Sequence, residues 1–348
     1  MRAESFQAFW VTKAGETLDQ VATRDSSRGE VKINVDAQLR VGGSITVHNI
    51  PSWVDPLKHW VRVEGVLDDV PISLGAFMLK EDQVAYAGKD TITDLTLVDP
   101  IQAVYNAKPS APLVLPEGAN VVDWVRGGLE SIGVELLNVT ASDVEATSTR
   151  AWDMGTERTK AYNEALSAIG YWAIRTNPLG ELGISPYVLP SSRSPLVSWQ
   201  AGQGSLMLRE WERSTNLSGI PNTIIVWHQQ PGEDGEDGPL IIGQAVNANP
   251  NDPLSIQNRG EVAEYVQDDV EDQAAADTLA RQTLDARSVP SANINLTHAL
   301  IPDFWGDEVI EATTSGGHHI LGSVNEAVIP LKAGGLVKTK LREVKSYG

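Results

Sequence analysis

Any chemistry in this chain must come from oxygen, nitrogen and imidazole groups, because the sequence contains no cysteine. Disulfides, thiolate metal sites and cysteine nucleophiles are thereby excluded. No G-x-S-x-G, H-E-x-x-H, Walker or Rossmann glycine pattern occurs. Gly202-Gln203-Gly204 is too short to cradle a phosphate. His318-His319 is the only adjacent histidine pair, and neighbours on a strand point to opposite faces, which disfavours a shared metal. The run G-E-D-G-E-D-G at Gly232–Gly238 spaces carboxylates closely, as calcium loops do, but lacks their turn-and-glutamate spacing. A solvated hairpin tip is the better reading. Acidic residues number 46, so a carboxylate pair for glycoside hydrolysis stays open. Ten tryptophans invite a sugar-stacking reading. They are spread through every segment, and most lie inside apolar patterns, as Trp124 and Trp172 do, which favours packing. No catalytic, cofactor-binding or metal-ligating residue is assigned.

The elements around these residues can be read from periodicity. Val31, Ile33 and Val35 alternate with polar residues, Ile45 and Val47 continue after Gly42-Gly43, and Val61 and Val63 follow. Gly42-Gly43 suggests a bulge or tight turn. Asp68-Asp69 reads as a turn before a strand over Ile72–Leu79, and Thr91–Val98 is another strand. From Asp99 the texture changes. Asn120 caps a helix, V-V-D-W-V-R-G-G-L-E-S-I, that ends at Gly133 before a strand over Val134–Val139. Thr156 can cap a second helix over Thr159–Ile169, stopped by Gly170. Tyr171–Arg175, the turn Asn177-Pro178-Leu179-Gly180 and Leu182–Val188 make a hairpin. Trp152 and Trp172 are expected to pack on the face of that helix carrying Leu166 and Ile169. Further on, Glu271–Arg287 reads as a helix with Ala274, Ala275, Leu279, Ala280, Thr283 and Leu284 along one stripe. The last sixty or so residues are strands, so the order is β, then α/β, then β with one embedded helix.

Composition narrows the class. The formal net charge is −19, and no Lys/Arg cluster exceeds two residues. A specific nucleic-acid-binding face is therefore not expected, and anionic surfaces are repelled. No apolar run approaches a membrane span. The opening M-R-A-E-S-F-Q-A-F-W lacks the apolar run of a signal peptide.

Several stretches together resemble one family. They are V-R-V-E-G-V-L-D-D-V-P-I-S-L-G-A-F-M-L-K (Val61–Lys80), A-W-D-M-G-T (Ala151–Thr156), A-I-G-Y (Ala168–Tyr171), S-P-L-V-S-W (Ser194–Trp199) and I-I-G-Q-A (Ile241–Ala245). The Ala-rich helix, P-D-F-W-G-D-E-V (Pro302–Val309) and the closing G-G-L-V-K-T-K-L follow in order. Their order and spacing over nearly the whole chain resemble a bacteriophage tail hub, also called a minor tail or tail-associated protein. The resemblance implies a mainly β fold with an inserted α/β domain and two tail-tube-like antiparallel β-barrels. Residues 1–98 would form the first barrel, rejoined by about 195–215, and 99–194 the insertion. Residues 216–348 would form the second, with an embedded helical segment at about 259–288. It implies a homotrimer that closes the tail tube and adapts six-fold to three-fold symmetry, with an acidic lumen for DNA passage. The implied partners are the distal tail protein ring, the C-terminus of the tape-measure protein, and other tail-tip or receptor-binding proteins. The place would be the virion tail tip, with assembly in the host cytoplasm. No enzyme activity and no cofactor is expected. The chain stops at Gly348 without the hydrolase or receptor-binding extension of many hubs, so a bare scaffold is expected. A carbohydrate-binding or glycoside-hydrolysing β protein is the alternative, and a bacterial tail-like injection device shares the same physics.

Overall fold

The computed structural model describes residues 4–23, 29–87, 90–202, 204–215, 219–231, 237–267, 273–287 and 292–344. The chain is mainly β and divides into two compact units, Met1–Glu212 with Ile294–Gly348, and Arg213–Asn293.

The first unit is built on a 13-stranded sheet. Neighbour to neighbour it runs Met207–Thr215, Ala292–Ala299, Leu336–Glu343, His319–Pro330, Glu30–Asn34, Val41–His48, Asp90–Val98, Val70–Ala87, His59–Leu67, Glu4–Thr12 and Thr17–Gln20. Val197–Gln200 lies parallel to Val309–Thr313, which pairs antiparallel with His319–Pro330. Alternation is plain in His59–Leu67, where Val61, Val63 and Leu67 are buried and Arg62 and Glu64 are less so. The buried faces merge into one core that includes Trp10, Phe77, Leu95, Ile294 and Leu341.

One sequence-based expectation is corrected here. Neither barrel closes: among the described residues the sheet begins at Met207–Thr215 and ends at Thr17–Gln20, with no pairing between them. Both ends are polar. Arg209, Glu210 and Glu212 are exposed on one, and the other is exposed throughout, the usual protection for an open edge. The closing strands find their partners at the far end of the chain. Glu326–Pro330 pairs with Glu30–Asn34, so the closing strands join the opening ones rather than Arg213–Asn293. Periodicity identifies strands but not their partners.

Local chemistry explains the details. Asp68 and Asp69 both take positive φ between paired Leu67 and Val70, the two-residue hairpin that matches strand twist. Gly42 and Gly43 do not form a bulge or turn; they lie inside Val41–His48, in register with both neighbouring strands. A Cβ on Gly43 would stand 2.1 Å from the Glu30 carbonyl oxygen, so close strand approach is what this position requires.

Residues 101–192 carry two small cores of their own. Helices Val121–Glu130 and Arg158–Ala168 pack Val122, Val125, Leu129, Tyr162 and Leu166 over Ile174, Leu182 and Ile184. Asn120 caps the first helix by accepting from the Asp123 amide. Thr156 does not cap the second; the cap position is Glu157, without a side-chain bond. Behind them Trp152 lies with Leu115, Val121, Ala161 and Ala165. A three-stranded sheet completes the region in the order Arg175–Thr176, Leu182–Ile184, Leu137–Val139, with shorter strands than periodicity suggests.

In the second unit, Thr223–Pro231 lies between Asp237–Val246 and Ala263–Gln267. Helix Gln273–Arg287 covers one face with Ala276, Ala280 and Leu284, while Ala274 is exposed. Small residues let its backbone touch the sheet at Gly243, where a Cβ would stand 2.2 Å from the Ala276 carbonyl carbon. Most of the acidic run Gly232–Gly238 falls outside the described residues.

His298 shows how the main core treats a titratable group. It is fully buried against Trp199 and Phe304. The Ala299 carbonyl can only accept, so Nδ1 carries the proton and Nε2 accepts from the Thr339 hydroxyl, each at 2.8 Å. Burial lowers the imidazole pKa to about 4. Between about pH 6.5 and 4 the unfolded chain binds a proton that the folded one refuses, so stability falls as pH drops through that window. The loss should approach about 3 kcal/mol. Urea unfolding from pH 7.5 to 4.5 should show it, and the slope should flatten in a folded His298→Gln variant. An equal slope in both proteins would contradict this assignment.

Candidate functional site

The candidate site is a cleft of about 650 Å³ where the small three-stranded sheet meets the loop 303–308. Its floor is the polar face of that sheet. Asn138, Gly183 and Arg175 are cross-strand neighbours in one row. The residues beside them, Leu137, Leu182 and Ile184, belong to the core below. One wall holds Trp172, Ser185, Val188 and Arg193; the other holds Asp303, Trp305, Asp307 and Glu308.

The wall residues interlock. Trp172 meets Tyr187 edge-on at 4.4 Å, and the Arg175 and Arg193 guanidinium carbons lie 4.6 and 5.4 Å from its ring centre. Arg193 donates from Nε to the Val188 carbonyl and from Nη1 to the Asp307 carbonyl, at 3.1 and 2.6 Å. The Asp307 carboxylate lies 3.5 Å from Arg175 and 3.7 Å from Arg40. Burial lowers the Arg175 pKa against the opposing pull of Asp307. Burial also raises the Glu308 pKa, which Arg193 and Arg175 counter and Asp307 and Asp303 reinforce. Asp303 and Asp307 take positive φ, turning the loop sharply on both sides of Trp305.

The cleft depends on a joint beneath it. Asp99 is 1% exposed and accepts from three backbone amides, those of Arg40, Val41 and Ile101, and from the Thr176 hydroxyl. The Trp305 indole then donates to the Thr176 carbonyl at 2.9 Å. Ser73 donates to the Pro178 carbonyl at 2.7 Å, docking the hairpin turn on the main sheet. Burial nevertheless raises the Asp99 pKa, against the pull of all four donors.

The residues singled out from sequence are not gathered here. His318 lies tilted against Trp211, and His319 pairs with Glu311, which also accepts from Ser198. Among the described residues no group of three or more His, Asp or Glu is arranged to hold a metal. Trp152 packs with Ala161 and Ala165 of helix Arg158–Ala168 and with Ile169 just beyond it, while Leu166 belongs to the other core; it stacks on Trp124 at 5.5 Å and donates to Glu164. Trp172 does not pack on the helix face; it lines the cleft between two arginines. Its apolar neighbours hid this, because the arginines that claim it stand in and beyond the hairpin. The usable signal was D-F-W-G-D at Asp303–Asp307, where two short acidic residues bracket a tryptophan.

No protein-family model matches the chain, and no curated protein matches it. Among solved structures it is similar to a tail protein from Neisseria meningitidis MC58, at 12% identity and a TM-score of 0.65, covering 97% of each chain. It is similar to the 43 kDa tail protein of prophage MuSo2 from Shewanella oneidensis, at 10% identity and a TM-score of 0.63, covering 97% of this chain and 98% of that one. A chain of the half-lidded Francisella PdpA–VgrG complex matches at 10% identity and a TM-score of 0.58, covering 100% of this chain and 59% of that one. The fold is that of phage tail proteins and their secretion-spike counterparts.

Two outcomes test the site's architecture. Asp99→Asn keeps the volume but turns an amide donor toward one pair of donors, and should cost about 2–4 kcal/mol in unfolding free energy. An unchanged denaturation midpoint would refute the joint. Trp152→Ala should cost about 3–5 kcal/mol and lower hydrogen-exchange protection first in residues 99–190. Trp172→Ala should cost less, because half-buried rings forfeit less burial. The reverse ranking would refute this placement of the two rings.

Proposed function

We propose that this chain is a structural subunit of a bacteriophage tail tip, a hub that closes the tail tube. The observation that carries the reading is fold similarity along almost the whole length of two tail proteins, at 97% or more of each chain. The order of sequence stretches that resembles tail hubs supports the same conclusion independently. On this reading three copies assemble around the tube axis and match a six-fold tube to a three-fold tip. Their neighbours are the distal tail protein ring, the tape-measure C-terminus and receptor-binding proteins. Assembly takes place in the host cytoplasm, and the product resides in the virion. A formal net charge of −19 suits a wall past which DNA must move without sticking. The role is non-catalytic.

The similarity to a chain of the PdpA–VgrG complex favours one second reading, a subunit of a bacterial tail-like injection device. The glycan-binding alternative loses part of its motive, since Trp124 and Trp152 stack on each other rather than facing solvent together.

Native mass measurement of reconstituted tail tips should give three copies per tip. Six copies or one would sink the hub reading. Recovery of the chain in secretion-apparatus particles, with none in virions, would select the injection device.

A further inference from the structure

We propose that the open sheet face of Arg213–Asn293 is a contact surface for a second copy of this chain, on the reading above that several copies assemble. Strand pairing puts eleven residues on the face turned away from helix Gln273–Arg287. Six of them, Ile225, Trp227, Leu240, Ile242, Val246 and Tyr265, are large and apolar. The others are Thr223, Ala263 and three glutamines, so the face carries no charge. Yet residues 213–293 hold 13 Asp and Glu against four Arg and no Lys. Charge is kept off one face of a strongly acidic unit, whereas a sheet face that stays in water carries mostly polar residues.

Leu240, Ile242, Val246 and Tyr265 are between 38% and 69% exposed, and they leave roughly 400 Å² of apolar surface in water. That matches the largest patch of an ordinary monomer and is about half of one side of a standard interface. The half-buried Ile225 and Trp227 and the glutamines extend it. Strand addition is closed at the edge beside this face. Gln273 donates to the Ile242 carbonyl and Asp277 accepts from the Gln244 amide, at 2.7 and 3.2 Å. A partner must therefore pack its side chains on the face itself, where the glutamines can both donate and accept. Charge selects that partner. Two copies that each carry −19 repel wherever their acidic surfaces meet, and a neutral face is where the repulsion is least. A basic partner would be drawn to the acidic surface instead and would leave this face bare.

The test follows association of the intact chain by sedimentation as its concentration is raised. Association should appear, and should strengthen from about 50 to about 500 mM salt, because salt screens the repulsion between copies and an uncharged face offers no ion pair to weaken. Ile242→Glu should weaken it about tenfold with an unchanged denaturation midpoint, because the new charge is buried only in the contact. Leu57→Glu, the same charge at a residue 84% exposed in the other unit, should change it little. The chain has no cysteine, so the thiol of a Tyr265→Cys variant reports on this face alone. Its maleimide labelling should slow as copies associate and recover on dilution. No association, weakening by salt, an equal loss in Leu57→Glu, or full-rate labelling in the associated chain each overturns the proposal. Protection that requires a different tail protein assigns the face to that protein and overturns it too. Tips that assemble normally with three Ile242→Glu copies overturn this surface alone, whereas one or six copies per tip overturn the hub reading and leave the measurements on the purified chain standing.

Discussion

The buried carboxylate of Asp99 is the constraint on which the arrangement of the first unit rests. It binds three separated pieces of chain: the Arg40–Val41 approach to a main-sheet strand, the start of helix Gln102–Asn106 at Ile101, and Thr176 in the small sheet. A carboxylate has about four lone-pair positions, and here four donors occupy them. Removing such a charge from water is expensive, and the donors offset only part of that cost, as the raised pKa records. What the joint provides is position: neither sheet can slide past the other without exposing unmet donors.

The cleft inherits its geometry from that joint. Thr176 holds the Trp305 indole through its carbonyl while its hydroxyl holds Asp99. The adjacent Arg175 thereby faces the loop that carries Asp307. Arg193, from the segment that follows the small sheet, ties the same loop by its backbone. Charge and aromatic contacts thus do at the rim what hydrophobic burial does in the two small cores beneath. The rim retains groups whose pKa values are displaced in opposite senses to their ordinary forms, Glu308 upward and Arg175 downward. Burial is the larger cause of both shifts, because it disfavours the charged form of each group.

At the scale of the whole chain, one sheet gathers the first hundred residues and the last fifty. Its open ends are charged or exposed rather than closed on each other. Charge at an open edge opposes unplanned strand addition, which a closed barrel would prevent by leaving no edge.

Much of this was legible in the residues themselves. Alternation at Val61, Val63 and Leu67, the Asn120 cap, the Asp68-Asp69 hairpin and the helix before Gly170 depend on interactions within a few residues, where side-chain period and backbone preference act directly. The strong acidity and the absence of sulfur chemistry were likewise plain. Partner choice was not. Nothing in Glu326–Pro330 announces that it will pair with Glu30–Asn34, because a strand offers the same backbone donors and acceptors to any neighbour. The cleft was hidden for the same reason. Trp172, Arg193 and Asp307 carry no motif, since they meet through space from distant segments. Even Gly42-Gly43, which looks like a break, is a place where three strands come too close for a side chain, and only the tertiary pairing makes that a requirement.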